Sequence, residues 1–149
     1  MFSSEGELLR EFSSPDCGAY GIHVSYDEIP GFIRYAVVVA EDRRFFFHSG
    51  FDAAAILRSA WFNIISRRIV SGGSTITQQL ARIAYADILP RNPFIRKAIE
   101  LVLAVKLEIH CTKREILESY INMVPMKFNQ KGLPAASRRV FGRDIRFIS

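Results

Sequence analysis

Cysteine is scarce in this sequence: Cys17 and Cys111 are the only two among 149 residues. Their spacing matches no metal-binding pattern, which argues against a cysteine-based metal site, and whether they pair in an oxidising compartment stays open. Long apolar runs are also absent, since none approaches the ~20 residues that cross a bilayer, and no signal peptide is visible. If the protein works outside the cytoplasm, we expect its targeting segment or membrane anchor to lie outside this sequence.

The bulk composition is that of one folded domain. Hydrophobic residues make up 49% of the chain and charged residues 23%, which is enough apolar material for a core. No internal repeat or interior boundary is visible, so we predict a single domain over residues 1–149, with a loop-rich segment at residues 1–26. The net charge of +5 suits nucleic acid, anionic lipid or a phosphate-bearing substrate and does not choose among them.

The segment EDRRFFFHSGFD, residues 41–52, mixes six charged or histidine residues with three consecutive phenylalanines. It follows the apolar run YAVVVA, so Glu41 falls where a packed core gives way to a cleft. Partial desolvation at such a boundary raises the pKa of a carboxyl group, which makes Glu41 a candidate general base. The alternative is that Glu41 and Asp42 only end a helix and pair with Arg43 and Arg44.

Apolar spacing and capping signals predict six helices. Asp27 and Pro30 mark the start of the first, and Asp52 precedes the second. Capping-box patterns mark the third and fifth helices, at Thr75 with Gln78 and at Thr112 with Glu115. Asn92 followed by Pro93 marks the start of the fourth helix, and Gly142 marks the end of the sixth. The predicted helices cover residues 29–41, 53–69, 75–85, 93–110, 113–122 and 133–140, and residues 123–131 are predicted to be a loop.

The second predicted helix carries an apolar stripe with arginines on its other side. Such a stripe is either core or, because Trp61 and Phe62 lie on a basic helix, a surface that rests on lipid headgroups. Its apolar positions are Ile56, Leu57, Ala60, Trp61, Ile64 and Ile65.

A glycine-rich turn precedes the third predicted helix, in the segment SGGSTITQQL. Gly72 and Gly73 allow tight backbone geometry, and free N–H groups with the hydroxyls of Ser74, Thr75 and Thr77 favour an anion such as phosphate. The alternative is a plain capped helix.

The fourth predicted helix is apolar around nearly all of its circumference, which predicts a buried, central helix. Glu100 interrupts it. Because a lone buried carboxylate is costly, Glu100 should be paired, protonated or functional. Arg96 and Lys97 share its side of the helix, and the alternative is an ordinary i,i+4 pair worth roughly 0.2–0.5 kcal/mol.

Four motifs in order resemble the peptidoglycan glycosyltransferases, glycosyltransferase family 51, which are the transglycosylase domains of class A penicillin-binding proteins. The motif E-D-x-x-F-x-x-H-x-G-x-D is matched by Glu41, Asp42, Phe45, His48, Gly50 and Asp52. The motif G-x-S-T-I-T-Q-Q is matched by Gly72, Ser74, Thr75, Ile76, Thr77, Gln78 and Gln79. The motif R-K-x-x-E is matched by Arg96, Lys97 and Glu100, followed by Ala104, Leu107 and Glu108. The fourth motif is matched in part by Ile116, Glu118, Tyr120, Asn122, Gly132, Ala135, Ala136, Phe141 and Gly142.

The resemblance covers about residues 29–143. The amino-acid sequence of the motifs is most similar to that of the 1C type of penicillin-binding protein. Arg82-Ile83 stands where the family commonly has Lys-Asn, and Lys127 replaces a usual glycine. The family domain continues past the Phe-Gly motif and has an N-terminal anchor, so the resemblance implies a domain truncated at its C-terminus.

The resemblance implies an all-α, lysozyme-like fold with a cleft between a larger lobe and a smaller, membrane-facing lobe. It also implies polymerisation of lipid II into β-1,4 glycan at the outer (periplasmic) face of the bacterial cytoplasmic membrane. The partners would be lipid II, lipid-linked glycan, the membrane surface and cell-wall synthesis proteins, without nucleic acid. Mg²⁺ or Mn²⁺ is the expected ion, with no organic cofactor and no assigned metal ligands.

Residue roles carry over from the matched motifs. The catalytic carboxylates would be Glu41, the general base, and Glu100, which would orient cations or hold the metal. The diphosphate and substrate would contact Ser74, Thr75, Thr77, Gln78, Gln79, Arg82, Arg96 and Lys97. Supporting roles fall to Asp42, Phe45, His48, Gly50, Asp52 and Asn122.

Three other classes of function stay open. A hydrolase on the same scaffold would place two carboxyl groups about 6.5–9.5 Å apart around a water molecule, although it needs no anion-binding turn. A non-catalytic remnant would bind lipid II without polymerising it. A helical nucleic-acid binder rests on the net charge alone.

Overall fold

The computed structural model describes residues 23–66, 73–126 and 130–148, with only the backbone of residues 55, 56, 60 and 62–64. Within these ranges the chain is mostly helical, as predicted, with one small antiparallel sheet. The lysozyme-like, two-lobed arrangement rests on the family resemblance. The single domain over residues 1–149 and the loop-rich first segment remain predictions, because most of that segment lies outside the described residues.

Six α-helices form the framework of the described residues. They are α1 (Gly31–Glu41), α2 (Ala53–Ser66), α3 (Ile76–Ala84), α4 (Pro93–His110), α5 (Lys113–Met123) and α6 (Leu133–Phe141). Two short strands, β1 (Pro125–Met126) and β2 (Gln130–Lys131), lie between α5 and α6 and pair antiparallel, with Pro125 opposite Lys131. Single turns of 3-10 helix lie at Tyr26–Glu28, Phe45–Phe47, Ala86–Ile88 and Ile145–Phe147.

The short helix α3 is the centre of the structure, packed between α4 and α5. Six of its nine residues are buried, including the polar side chains of Thr77 and Gln78. Its apolar residues, such as Leu80, join Phe45 and Ile116 in one buried cluster. Residues on the remaining surface of α3 are therefore held in fixed directions by a packed core.

The prediction that α4 is central and buried all round is wrong. Its buried residues are Glu100, Ala104 and Leu107, which lie at i, i+4 and i+7 on one face. Val102 and Ile109, on other faces, are 67% and 74% exposed. The apolar circumference misleads because α4 packs mainly against α3, through that single face.

The capping signals place most helix ends correctly. Asn92 caps α4 with Pro93 in the first turn, Thr112 and Glu115 form the predicted capping box of α5, and Gly142 ends α6 in the left-handed conformation. The first helix differs, because Tyr26–Glu28 forms a separate 3-10 turn. Asp27 lies within that turn, and α1 begins at Gly31 after a cap at Pro30.

The interpretation of the α2 stripe as core is wrong for the apolar side chains that the structure describes there. Leu57, Trp61 and Ile65 are 71%, 64% and 62% exposed. Their i, i+4, i+8 spacing places them along one side of the helix. The predicted end of this helix at Ile69 lies outside the described residues.

The predicted loop over residues 123–131 is partly strand, and Gly132 turns the chain from β2 into α6. Gly132 has φ 82°, and its N–H donates to the Val124 carbonyl at 2.8 Å. A Cβ at this position would overlap the backbone of Asn122. The Asn122 side chain in turn accepts from the Val24 N–H at 2.9 Å and donates to the Val24 carbonyl at 2.8 Å, which ties the start of the described chain to α5.

Replacing Gly132 by alanine should lower the free energy of unfolding by about 3 kcal/mol, because a left-handed φ and a backbone overlap act together. Gly142→Ala is the matched control: its φ of 64° is also left-handed, but nothing lies within 4 Å of an added Cβ, so about 1 kcal/mol is expected. Urea denaturation measures the free energy of unfolding of both variants. Equal losses would show that the close approach to Asn122 does not constrain the fold.

Candidate active site

Glu41 is the last residue of α1, and its side chain is exposed. Its Oε2 accepts a hydrogen bond of 3.0 Å from Nε2 of Gln79 on α3. The sequence predicts partial burial of this carboxylate, whereas the structure leaves it open to solvent and held by an amide. The alternative pairing of the helix end with Arg43 and Arg44 is wrong, because Arg44 pairs with Asp52 at 3.4 Å and Arg43 donates to a backbone carbonyl.

Asp42 and His48 lie buried behind Glu41. Oδ2 of Asp42 accepts from the Ile76 N–H at 3.1 Å and lies 2.9 Å from Nε2 of His48. Because a carboxylate only accepts, His48 donates through Nε2. These contacts fasten the loop after Glu41 to the first turn of α3.

Phe45 and Gly50 fix the same loop against the core. Phe45 is fully buried, and the ammonium of Lys113 lies 4.5 Å from its ring centroid. Gly50 has φ 93°, and a Cβ there would lie 3.0 Å from the carbonyl of Ala104, so glycine allows the loop to touch α4. The Gly50 carbonyl accepts from the Thr75 hydroxyl at 2.7 Å.

The hydroxyls of the turn before α3 do not act alike. Thr75 and Thr77 are buried, and both donate inside the protein, Thr77 to a glutamate of α4 at 2.6 Å. In this structure both threonine hydroxyls stabilise the turn through these internal hydrogen bonds. Of the three hydroxyls predicted to face a ligand, one is left. That one is Ser74, which is half-buried and accepts from Nζ of Lys97 at 2.7 Å.

Three cationic side chains surround the carboxylate of Glu100, which is 1% exposed. Arg82 donates twice, from Nε to Oε1 at 2.7 Å and from Nη2 to Oε2 at 3.0 Å. Nζ of Lys97 lies 3.5 Å from Oε2, and Nε of Arg96 lies 3.8 Å from Oε1. The nearest partner thus comes from α3 and not from the helical neighbours that the sequence favours. We call Arg82, Arg96, Lys97 and the carboxylate of Glu100 that they surround the cation cluster.

Burial and neighbouring charges shift the pKa values of Glu100, Arg82 and Lys97 in the cation cluster. Burial would raise the pKa of Glu100, but the hydrogen bonds and charge of Arg82, with the charge of Lys97, outweigh burial and hold that pKa below its ordinary value. The hydrogen bond to Glu100 raises the pKa of Arg82. Burial, with the charge of Arg82, lowers the pKa of Lys97 despite the attraction of Glu100. The lowered pKa favours the ionised form of Glu100 in this structure.

Gln78 adds a neutral donor beside the cation cluster. Its side chain is fully buried, and Oε1 accepts from Nζ of Lys97 at 2.9 Å. Nε2 has no hydrogen-bond partner among the described residues. A buried donor left unpaired costs roughly 1–3 kcal/mol, and donors of this kind favour an anion. Gly72, predicted in the same turn, lies outside the described residues.

Helix α3 brings the two halves of the site together. Gln79, which holds Glu41, and Arg82, which holds Glu100, are three residues apart, so their Cβ atoms are about 5–6 Å from each other on one helix face. Glu41 and the cation cluster consequently approach the same face. The arrangement can accept a proton at one end and attract a phosphate-like anion at the other.

A separate surface groove of about 700 Å³ runs along α1 and is lined by aromatic and arginine side chains, including Tyr35 and Arg43. Neither Glu41 nor Glu100 lines this groove. The candidate site is accordingly the exposed face between Glu41 and the cation cluster.

A protein-held metal ion does not fit the residues that the structure describes. No group of three or more His, Cys, Asp or Glu side chains in those ranges is placed to hold one. Divalent ions such as Mg²⁺ need oxygen ligands, and Glu100, the carboxylate in question, is already surrounded by three cations. A further cation would be repelled there.

Tyr120 is the site neighbour that reasoning from the sequence missed. Its hydroxyl donates to Oε1 of Gln79 at 3.1 Å, and only 3% of the residue is exposed. Its helical spacing on α5 reads as core, and nothing in that spacing points toward Gln79. Its place in the fourth family motif was the available signal.

Removing Arg82 should destabilise the protein more than removing the charge it pairs with. Arg82→Gln leaves a buried carboxylate short of its main partner, which costs about 3 kcal/mol. Glu100→Gln leaves cations that are 44–48% exposed and that water can solvate, so about 1.5 kcal/mol is expected.

Urea denaturation at neutral pH compares the two variants, with Arg96→Gln as the control. Nε of Arg96 lies 3.8 Å from the carboxylate, so its loss should stay within about 0.5 kcal/mol. The reverse order of Arg82→Gln and Glu100→Gln would contradict the assignment of Glu100 as a buried, ionised carboxylate.

Known proteins match nearly the whole chain. The family model described as Transglycosylase matches residues 5–149. The chain is 40% identical over 126 residues to the biosynthetic peptidoglycan transglycosylase of Thiobacillus denitrificans, with 85% of this chain and 53% of the relative covered. It is 35% identical over 145 residues to penicillin-binding protein 1A of Escherichia coli, with 97% and 16% covered. It is 37% identical over 126 residues to penicillin-binding protein 1F of Bacillus subtilis, with 85% and 17% covered.

The chain spans about half the length of the first relative and less than a fifth of the two penicillin-binding proteins. The two penicillin-binding proteins are of types 1A and 1F, so the predicted likeness to the 1C type stays a prediction. Because the family match covers the Glu41 segment, the turn before α3, the cation cluster and α5, the chain belongs to the transglycosylase family, the glycosyltransferase family 51 domain of class A penicillin-binding proteins.

Proposed function

We propose that this chain polymerises lipid II into β-1,4 glycan by inverting displacement of undecaprenyl diphosphate. The observation that carries the proposal is the placement of exposed Glu41 and the cation cluster on one face of α3. A proton acceptor and a cationic anion site, side by side, are what an attack by a hydroxyl with a diphosphate leaving group requires.

Glu41 is the general base in this proposal. The 4-hydroxyl of the acceptor sugar gives its proton to Glu41 as its oxygen bonds to the anomeric carbon of the donor. The bond between that carbon and the diphosphate oxygen breaks, and the electron pair leaves with the diphosphate. Attack from the face opposite the leaving group inverts an α-linked donor into a β-1,4 bond. The exposure of Glu41 supports this role, since an acceptor can reach it.

The cation cluster neutralises the charge that develops on the diphosphate. Three positive side chains and one carboxylate leave a net charge of two positive units. The arginine side chains are roughly half-exposed, so phosphate oxygens can approach their guanidinium groups, which carry several N–H donors. A diphosphate is a weak base, so charge neutralisation matters more than protonation, which agrees with an ionised Glu100 that cannot donate a proton.

Glu100 organises the cluster in this proposal and is not a second acid. Its burial fixes its position, and its double hydrogen bond fixes the plane of the Arg82 guanidinium. Without a central anion, three cations within this distance would repel one another. We propose Mg²⁺ or Mn²⁺ only as an ion carried by the diphosphate.

Contact with a membrane surface is part of the same proposal. No helix among the described residues is long and apolar enough to cross a bilayer. The stripe of Leu57, Trp61 and Ile65 is exposed along α2 next to exposed Arg58, which is a pattern typical of helices that lie in the headgroup region. A position at the periplasmic face of the cytoplasmic membrane, where lipid II and cell-wall synthesis partners would be met, is proposed from this stripe and from the family.

The alternatives differ in what they require of the cation cluster. A hydrolase would need no cationic site for a leaving diphosphate, and its second carboxyl group would have to donate a proton, which an ionised Glu100 cannot do. A non-catalytic binder would keep the cluster and lack turnover, so a lipid II binding assay beside a polymerisation assay separates it from the enzyme.

Glu41→Gln should lower the rate of polymerisation of labelled lipid II by about 10³-fold, because the amide cannot accept the acceptor's proton. Thermal unfolding should be almost unchanged, since Glu41 is exposed. Asp27→Asn is the control: this exposed acid precedes α1, and the helix between it and Glu41 is about 16 Å long. A Glu41→Gln variant with normal polymer yield would exclude Glu41 as the base, and digestion of finished glycan without lipid II would favour the hydrolase.

A further inference from the structure

A hydrogen-bonded chain runs from the core to Glu41 through residues from three helices. The Tyr120 hydroxyl of α5 lies 3.1 Å from Oε1 of Gln79 on α3, and Nε2 of Gln79 lies 3.0 Å from Oε2 of Glu41 at the end of α1. Tyr120 is buried, Gln79 is half-buried and Glu41 is exposed. The hydrogen-bonded chain therefore connects the buried core to the exposed carboxylate of Glu41.

The chemistry of the three groups fixes the direction of every hydrogen bond. An ionised carboxylate can only accept, so the amide must turn its NH₂ toward Glu41. The amide oxygen then faces Tyr120, and the phenol must be the donor. Burial, followed by the negative charge of Glu41, raises the pKa of Tyr120 to about 12, so the phenol keeps its proton throughout the physiological range.

We propose that Gln79 is the positioning residue of Glu41, and that Tyr120 acts through Gln79 by fixing the direction of its amide. The assignment rests on the proposed function of Glu41 as the base. It moves Gln79 away from the diphosphate-binding set in which the family resemblance places it. Oε2 of Glu41 is held by the amide, and Oε1, which has no hydrogen-bond partner in the described ranges, is the atom that takes the acceptor's proton.

The position of Glu41 explains why such a residue is needed. A glutamate at the exposed end of a helix samples several rotamers, and only some aim the carboxylate at one substrate oxygen. Asp42, the next residue, is buried and fastened to the first turn of α3, which fixes the backbone but not the Glu41 side chain. The Gln79 amide supplies that missing restraint from α3, the helix that also carries Arg82.

Kinetics on the full chain with labelled lipid II test the proposal. Gln79→Ala should lower kcat by about 100-fold and Tyr120→Phe by about tenfold, with KM nearly unchanged, because neither residue touches substrate in this arrangement. The double variant should be no slower than Gln79→Ala alone, since Tyr120 acts only through the amide. Tyr26→Phe, which keeps the ring packed between Arg34 and Arg114, is the matched control and should leave kcat unchanged.

The outcomes separate this inference from the proposed function. An active parent chain whose Tyr120→Phe variant keeps full kcat, or a double variant whose losses multiply, overturns the inference while the polymerase assignment stands. If the parent chain shows no turnover, the proposed function fails, and NMR of the Gln79 side-chain amide decides whether the hydrogen-bonded chain exists. Its ¹⁵N and ¹H shifts should then respond to both Tyr120→Phe and Glu41→Gln, and unchanged shifts overturn the inference.

Discussion

The ion pair between buried Glu100 and Arg82 is the interaction on which the rest of the site depends. The negative charge of a carboxylate that is 1% exposed must be neutralised by nearby cations. Here these cations come from α3 as well as from α4, the helix of Glu100 itself. That requirement draws Arg82 of α3 and Lys97 of α4 together, and Lys97 then reaches Ser74 and Gln78. One buried negative charge thus assembles a positively charged surface that repulsion would otherwise disperse.

Helix α3 converts this electrostatic arrangement into a site for a two-part reaction. One of its faces is packed between α4 and α5, which leaves a narrow surface whose side chains have defined directions. Gln79 and Arg82 on that surface bind two different carboxylates, and the proposed function gives these opposite roles: Glu41 accepts a proton and Glu100 stays ionised. The difference arises from the neighbouring groups: Glu41 is exposed with a neutral amide beside it, whereas the cations around buried Glu100 outweigh its burial and lower its pKa.

Local signals in the sequence predicted local structure well. Capping residues such as Asn92 and Thr112 placed the starts of α4 and α5, and the motif order identified the family and the residues of the cation cluster. The same local signals could not predict the contacts between helices. The apolar circumference of α4 could not reveal that only one face packs, and the spacing of Glu100 pointed to Arg96 and Lys97 although Arg82 binds it most closely. Tyr120 was hidden for the same reason, since its partner is 41 positions away.

Binding of inorganic pyrophosphate, measured by calorimetry at low salt, tests most directly whether the cation cluster receives a diphosphate. We expect saturable binding to the unmodified chain, and we expect Lys97→Gln to weaken the affinity on the order of tenfold, about 1.4 kcal/mol. Lys106→Gln, which removes an exposed lysine elsewhere on α4, should leave the affinity unchanged. Absence of binding, or equal losses in the two lysine variants, would contradict this role of the cation cluster.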